Sequence, residues 1–233
     1  MCRARIPKRS RLLIFLIALF LSQSFMVVGQ SRAYIRDAIT EWGECRNVAI
    51  TETNGDLALY GDNGFAYDQI PTDLADAIEE LRNDDEYISD IQLTENGRWV
   101  VLYGANGLKW SNIPGSLESQ LREYNADNEV ITSVTFNDVG EWVVISEDFY
   151  SSSDDNITDW LKAGADKYGA LWAACITNDA LVAVYERGYK YFGEVPEDLK
   201  NKLQETSFDV YRIKIAGTAW FFADKYGRYD YNM

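Results

Sequence analysis

None of the 233 residues of this chain is histidine. That removes Ser-His-Asp and Cys-His catalysis, the HExxH zinc site and any imidazole base titrating near neutrality. What remains for chemistry is carboxylate, aromatic and thiol. Between Glu147 and Asp155 four acids crowd into the stretch Ser146-Glu-Asp-Phe-Tyr-Ser-Ser-Ser-Asp-Asp155. Asp148, Asp154 and Asp155 could supply oxygens to Ca²⁺, which takes six to eight of them. The spacing matches no EF-hand loop, so a solvated acidic loop is the simpler expectation. Calcium is the single cofactor the sequence suggests. Two carboxylates at about 5–9 Å could also hydrolyse a glycosidic bond. With 37 Asp and Glu, however, chance pairs are expected and no spacing singles one out.

The second set of candidates is aromatic. Tyr67, Trp110 and Tyr191 each stand three residues after a glycine, in Gly64-Phe-Ala-Tyr67, Gly107-Leu-Lys-Trp110 and Gly188-Tyr-Lys-Tyr191. Tyr150 occupies the corresponding stretch where the pattern breaks. Rings on an edge strand can offer stacking faces to a sugar or a partner's side chains; half-buried packing is the plainer reading. Cys45 and Cys175 are compatible with a disulfide in an exported chain and equally with two buried thiols. Asn156-Ile-Thr158 is a glycosylation acceptor motif that overlaps an expected strand end.

These residues recur because the chain repeats. Ile91 to Gly104 aligns with Val134 onwards, bringing Gly97 onto Gly140 and Trp99 onto Trp142, each 43 residues apart. Further copies start near Ala49, Ala174 and Ile213, the fourth with Val182 where tryptophan would stand. Downstream, Ile70-Pro71, Ile113-Pro114 and Val195-Pro196 mark one repeat position, with Ile157-Thr158 replacing it in the third unit. Proline there suits the first turn of a helix. Apolar residues follow at three and seven places on: Leu74 and Ile78, Leu117 and Leu121, Leu199 and Leu203. That is one stripe of a short amphipathic helix, and Ile35, Ile39 and Trp42 show the same spacing.

The strands are read from period-two alternation. Asn96-Gly97 predicts a two-residue hairpin turn, Trp99 to Tyr103 a central strand apolar on both faces, and about 108–112 an edge strand. Asn83-Asp-Asp-Glu86 and Asp127-Asn-Glu129 fall in equivalent helix–strand connections and read as solvated loops. The fold expected is an α+β repeat of five helix-plus-three-stranded-antiparallel units, near 34–70, 71–113, 114–157, 158–195 and 196–233. Such units cannot bury their faces alone. A propeller-like closed toroid is the first expectation and an open solenoid stack the second; the likeness to propeller blades lies in unit length, since blades usually carry four strands.

Residues 1–11 hold five bases and no acid, and 12–21 read LLIFLIALFL. This is the pattern of a secretory leader, with cleavage after Gly29 or Ala33 both fitting the small-residue rule and an uncleaved anchor as the rival. Residues 1–29 would then be the leader and 30–233 one repeat domain. The formal charge of −15 becomes more negative without the leader, leaving 17 bases against 37 acids. Such a surface excludes nucleic acid and a basic membrane-binding face. The function expected is an exported, non-enzymatic binding protein for a protein or glycan partner. The alternatives are a carboxylate-dependent carbohydrate hydrolase and a structural envelope protein.

Overall fold

The computed structural model describes residues 32–53 and 55–233; the expected leader and Asn54 of the first turn lie outside the described residues. It contains five helices and five three-stranded antiparallel sheets in repeated order. Unit one is α1 (32–42), β1 (Asn47–Ala49), β2 (Asp56–Tyr60) and β3 (Gly64–Asp68). Unit two is α2 (Thr72–Asn83), β4 (Ile88–Leu93), β5 (Trp99–Tyr103) and β6 (Gly107–Ser111). In unit three α3 (Gly115–Ala126) precedes β7 (Ile131–Phe136), β8 (Trp142–Ser146) and β9 (Tyr150–Ser152). Unit four has α4 (Asp155–Tyr168), β10 (Leu171–Ile176), β11 (Ala180–Tyr185) and β12 (Gly188–Gly193). Unit five has α5 (Glu197–Glu205), β13 (Arg212–Ala216), β14 (Ala219–Ala223) and β15 (Tyr229–Asn232). In every sheet the second strand is central, as its two apolar faces require.

Each helix buries its stripe between its own unit's sheet and the preceding one. Leu74, Ile78 and Leu81 of α2 pack on Leu57 and Leu59 to one side and on Ile91, Trp99 and Val101 to the other. The next residues along β5, Val100 and Leu102, point the opposite way and pack with Leu117 and Leu121 of α3. Strand alternation thus feeds two cores from one strand. The same holds around α4 and α5. The fifth core joins the two ends of the chain, since Ile35 and Ile39 of α1 pack with Val48 and Ala58 of unit one and with Phe221 and Ala223 of unit five. First strands also touch: β4 contacts β1 and β7, β10 contacts β7 and β13, and β13 contacts β1. Among the described residues no helix is long and apolar enough to cross a membrane.

Several local expectations change. The chain between β4 and β5 is a five-residue loop, 94–98, in which Gly97 has positive φ and Asn96 does not, so the two-residue turn is not formed. A type I′ turn needs both central residues at positive φ. Pro71, Pro114 and Pro196 sit one place ahead of the first helical residue, at the N-cap with φ between −52° and −55°. The helix of unit four opens earlier than Ile157-Thr158 suggested. Asp154 caps it, accepting hydrogen bonds from the amides of Asn156 and Ile157 at 2.8 and 3.1 Å. Asn156 therefore lies in a helix's first turn rather than at a strand end. The acidic connections are exposed, as expected of solvated loops, and turn through Asp85 and Asn128, both at positive φ, which Asp and Asn tolerate best after glycine.

Register also realigns the tryptophans. Trp99, Trp142, Leu181 and Trp220 pair with Leu93, Phe136, Ile176 and Ile215, so Trp220 is the true counterpart and Leu181, not Val182, fills the gap. Five residues separate the paired positions in units two and three but four in units four and five, and this one-residue shortening hides the match from a linear count.

Candidate binding site where the first strands meet

Along the five first strands, apolar residues turn into the cores between units, and the alternate residues face one another. Among the latter are Asn47, Asp90, Gln92, Thr135 and Lys214, all buried. Asp90 and Lys214 are 1% and 5% exposed and form an ion pair, Nζ to Oδ1, at 3.1 Å. Asp90 Oδ1 also accepts from Asn47 Nδ2 at 2.6 Å and from the Ile91 amide at 2.9 Å, and Oδ2 accepts from the Val134 amide at 3.0 Å. Lys214 donates a second bond to Gln92 Oε1 at 3.2 Å. Thr135 Oγ1 accepts from the Ile176 amide at 3.0 Å, so polar contacts here involve all five units. Burial works against ionising Asp90, yet Lys214, Arg212 and these hydrogen bonds prevail and hold its pKa below the ordinary carboxylate value. Asp90 thus accepts four hydrogen bonds, and Lys214 directs two of its three N–H groups to Asp90 and Gln92. Cys175 lies beside them, its pKa raised by burial in spite of nearby Lys214. Cys45 is likewise buried and free, its pKa pushed up to about 12 by burial. The two thiols belong to different cores and form no disulfide.

Directly above Gln92 lies a cavity of about 480 Å³. Its walls come from all five units: Ile50, Leu93, Phe136, Ile176 and Ile215 at one level, then Thr94, Asn137 and Thr177, then the hairpin loops. Glu52, Glu95, Asp138, Asp179 and Glu194 supply five carboxylates, and no Lys or Arg lines it among the described residues. The loops are laced together. Glu95 accepts from the Glu52 amide, and from the Thr53 amide and hydroxyl at 3.1 and 2.8 Å. Asp138 accepts from the Asn96 amide at 3.3 Å, and Asn178 from the Asp138 amide at 3.2 Å. In unit five this lacing position is Gly217, which has no side chain to offer. Unit five lines the cavity with Pro196, Ile215, Ala216, Gly217 and Thr218, and the Glu52 side chain of unit one lies against Gly217.

The aromatic candidates lie elsewhere, and they do not come together. Tyr67, Trp110, Tyr150 and Tyr191 occupy third strands of four different units, each half-buried against a different core. Tyr67 donates to Glu79 Oε1 of α2 at 2.6 Å, and that bond raises its pKa. The Arg122 guanidinium of α3 sits 4.9 Å above the Trp110 ring. Tyr191 Oη is buried with no hydrogen-bond partner among the described residues, and burial raises its pKa. Of the three calcium candidates, Asp148 is exposed in the β8–β9 turn, Asp154 caps α4 and Asp155 begins it. Among the described residues no three His, Cys, Asp or Glu gather in a way that could hold a metal ion.

Asp90, Lys214 and the cavity carry no motif. Their trace in the sequence is a polar residue at the same alternate position of successive first strands: Asn47, Asp90, Ser133 and Arg212 at one level, Gln92, Thr135 and Lys214 at the next. No protein-family model matches the chain, and no curated protein matches it.

Proposed function

We propose that this chain is an exported, non-enzymatic binding protein whose five units close into a propeller-like ring and whose acidic mouth receives a basic segment of a partner protein. Closure is supported by the fifth core, which joins units one and five; an open stack would leave those faces wet. Export rests on the leader pattern of residues 1–29. The observation that carries the binding site is the 480 Å³ cavity ringed by five carboxylates with no cation among its lining residues. Its volume is in the range of small-ligand and side-chain pockets. Clustered like charge over a low-dielectric floor concentrates ligands of opposite sign. A protein partner is favoured over a glycan because neutral sugars are gripped by stacking faces, and among the described residues Phe136 is the sole aromatic in the lining.

The test uses the chain without its leader, titrated with Lys- and Arg-containing peptides and with a neutral glycan panel. Neutralising Asp138, Asp179 and Glu194 together (Asp138→Asn, Asp179→Asn, Glu194→Gln) should weaken peptide binding roughly ten- to a hundred-fold, at about 0.5–1 kcal/mol per exposed pair. The affinity of the parent should fall as salt rises. Binding of glycan alone, or turnover of glycan lost at two of these acids, would replace this reading by the lectin or hydrolase one.

A further inference from the structure

The first strands begin at the end opposite the acidic mouth, and two guanidiniums meet there. Arg46 stands just ahead of β1, and Arg212 opens β13. Arg46 Nη1 donates to the Ile88 carbonyl at 2.8 Å, and its Nη2 to the Asp62 carbonyl at 3.4 Å. Arg212 Nε and Nη2 donate to the Ser89 carbonyl at 3.3 and 3.1 Å, and Nη1 to the Tyr211 carbonyl at 2.7 Å. Ile88 and Ser89 are consecutive, so arginines from units one and five are drawn together over one short stretch of unit two. Both arginines are half-buried. Tyr87, beside them, is 42% exposed and holds the Arg46 guanidinium 4.3 Å from its ring centre.

Every hydrogen-bond acceptor these two cations have is a neutral carbonyl. Among the described residues neither forms an ion pair. The bulge of β4 at Ser89 does not account for them. Strands β7 and β10 bulge at the equivalent place, at Thr132 and Trp172, and among the described residues no guanidinium bonds the carbonyls there. Charge is unbalanced as well. The five first strands hold one acid, Asp90, against Lys214 and Arg212, with Arg46 adjoining. Lys214 already pairs with Asp90, so two positive charges are left over in a chain of 37 acids and 22 bases. A guanidinium has five N–H donors. Arg212 directs three of them to carbonyls and Arg46 two, and Arg46 Nε is buried without a partner. Donors therefore remain on both side chains, in the planar fork that grips two oxygens of one anion.

We infer that an oxyanion, a carboxylate or a phosphate, binds between Arg46 and Arg212 at this end of the first strands. The site is separate from the acidic mouth and does not depend on the function proposed for it.

The chain without its leader is titrated calorimetrically with inorganic phosphate and with glucuronate at low salt, with chloride as the reference anion. Arg46→Gln and Arg212→Gln, each checked for fold by circular dichroism, are titrated alongside. Saturable binding of one or both anions is expected, weakened roughly tenfold or more by each substitution, since each removes a charge-assisted contact. Phosphate binding alone would identify the ligand as a phosphate and glucuronate binding alone as a carboxylate; either supports the site. If Arg212→Gln fails to fold, Arg46→Gln decides. No binding of either anion to the parent up to about 10 mM would overturn the inference and leave the arginines as caps on the bulge carbonyls. Equal binding by the parent and Arg46→Gln would overturn it too.

Discussion

Replacing Lys214 by methionine removes the cation from beneath the cavity while keeping most of the side chain's volume. Asp90 would remain 1% exposed, still bonded to Asn47, Ile91 and Val134 but facing no ammonium. Breaking one side of a buried ion pair costs about 3–5 kcal/mol. In a domain of this size that corresponds to a drop in Tm of about 6–20 °C. The sign of the pH dependence follows from Asp90. Its folded pKa is depressed below the ordinary 3.8, so the fold favours the ionised form. That contribution is fully present above the unfolded pKa and is lost as pH falls through the lower folded value. The gap between parent and Lys214→Met should be widest near neutrality and narrow below about pH 4. Urea melts followed by circular dichroism at pH 7 and at pH 3.5 measure both points. Adding Asp90→Asn to Lys214→Met should restore at least half of the loss, because no buried charge is then left unpaired. A Lys214→Met protein within about 1 kcal/mol of the parent at pH 7 would show that the buried pair does not hold the first strands together.

Two other substitutions test the packing. Gly164 of α4 lies against Tyr185, whose hydroxyl donates to the Leu161 carbonyl at 3.0 Å, and a Cβ at residue 164 would fall 2.1 Å from that oxygen. Gly164→Ala should therefore destabilise by about 1–3 kcal/mol in thermal melts, even though alanine is the better helix former by about 1 kcal/mol; a stabilised variant would show that Tyr185 yields freely. Trp110→Ala should cost about 2–4 kcal/mol by emptying a half-buried site over α3, while peptide affinity measured by titration stays unchanged; a loss of affinity with stability intact would return the third-strand aromatics to the binding surface.

The repeat, its helices and its central strands were legible in the sequence because each has a local signal. Proline before a stripe such as Leu74–Ile78 fixes a helix start, and alternation through Trp99 to Tyr103 fixes a two-faced strand. Hairpin detail was less legible, since the loops differ in length from unit to unit and Trp220 aligns with Trp142 only through the ladder. The candidate site was hardly legible at all. Asp90 and Lys214 are 124 residues apart in sequence, and each looks alone like an ordinary polar residue on a strand. Only the packing of first strands from units two and five brings them together. The carboxylates around the cavity have the same origin: Glu52, Glu95 and Asp138 each sit in an unremarkable turn, and it is the meeting of the turns that concentrates their charge. Conversely, Tyr67, Trp110 and Tyr191 stood out as a recurring set because recurrence in a repeat protein reports the packing each unit shares.

The most direct test of the account is a calorimetric titration of a Lys- and Arg-containing peptide into three proteins: the parent, the Asp138→Asn/Asp179→Asn/Glu194→Gln variant and Trp110→Ala. Binding to the parent and to Trp110→Ala with equal affinity is expected, and binding at least tenfold weaker to the mouth variant. Equal affinity for the parent and the mouth variant, or no binding of any basic peptide to the parent, would contradict it.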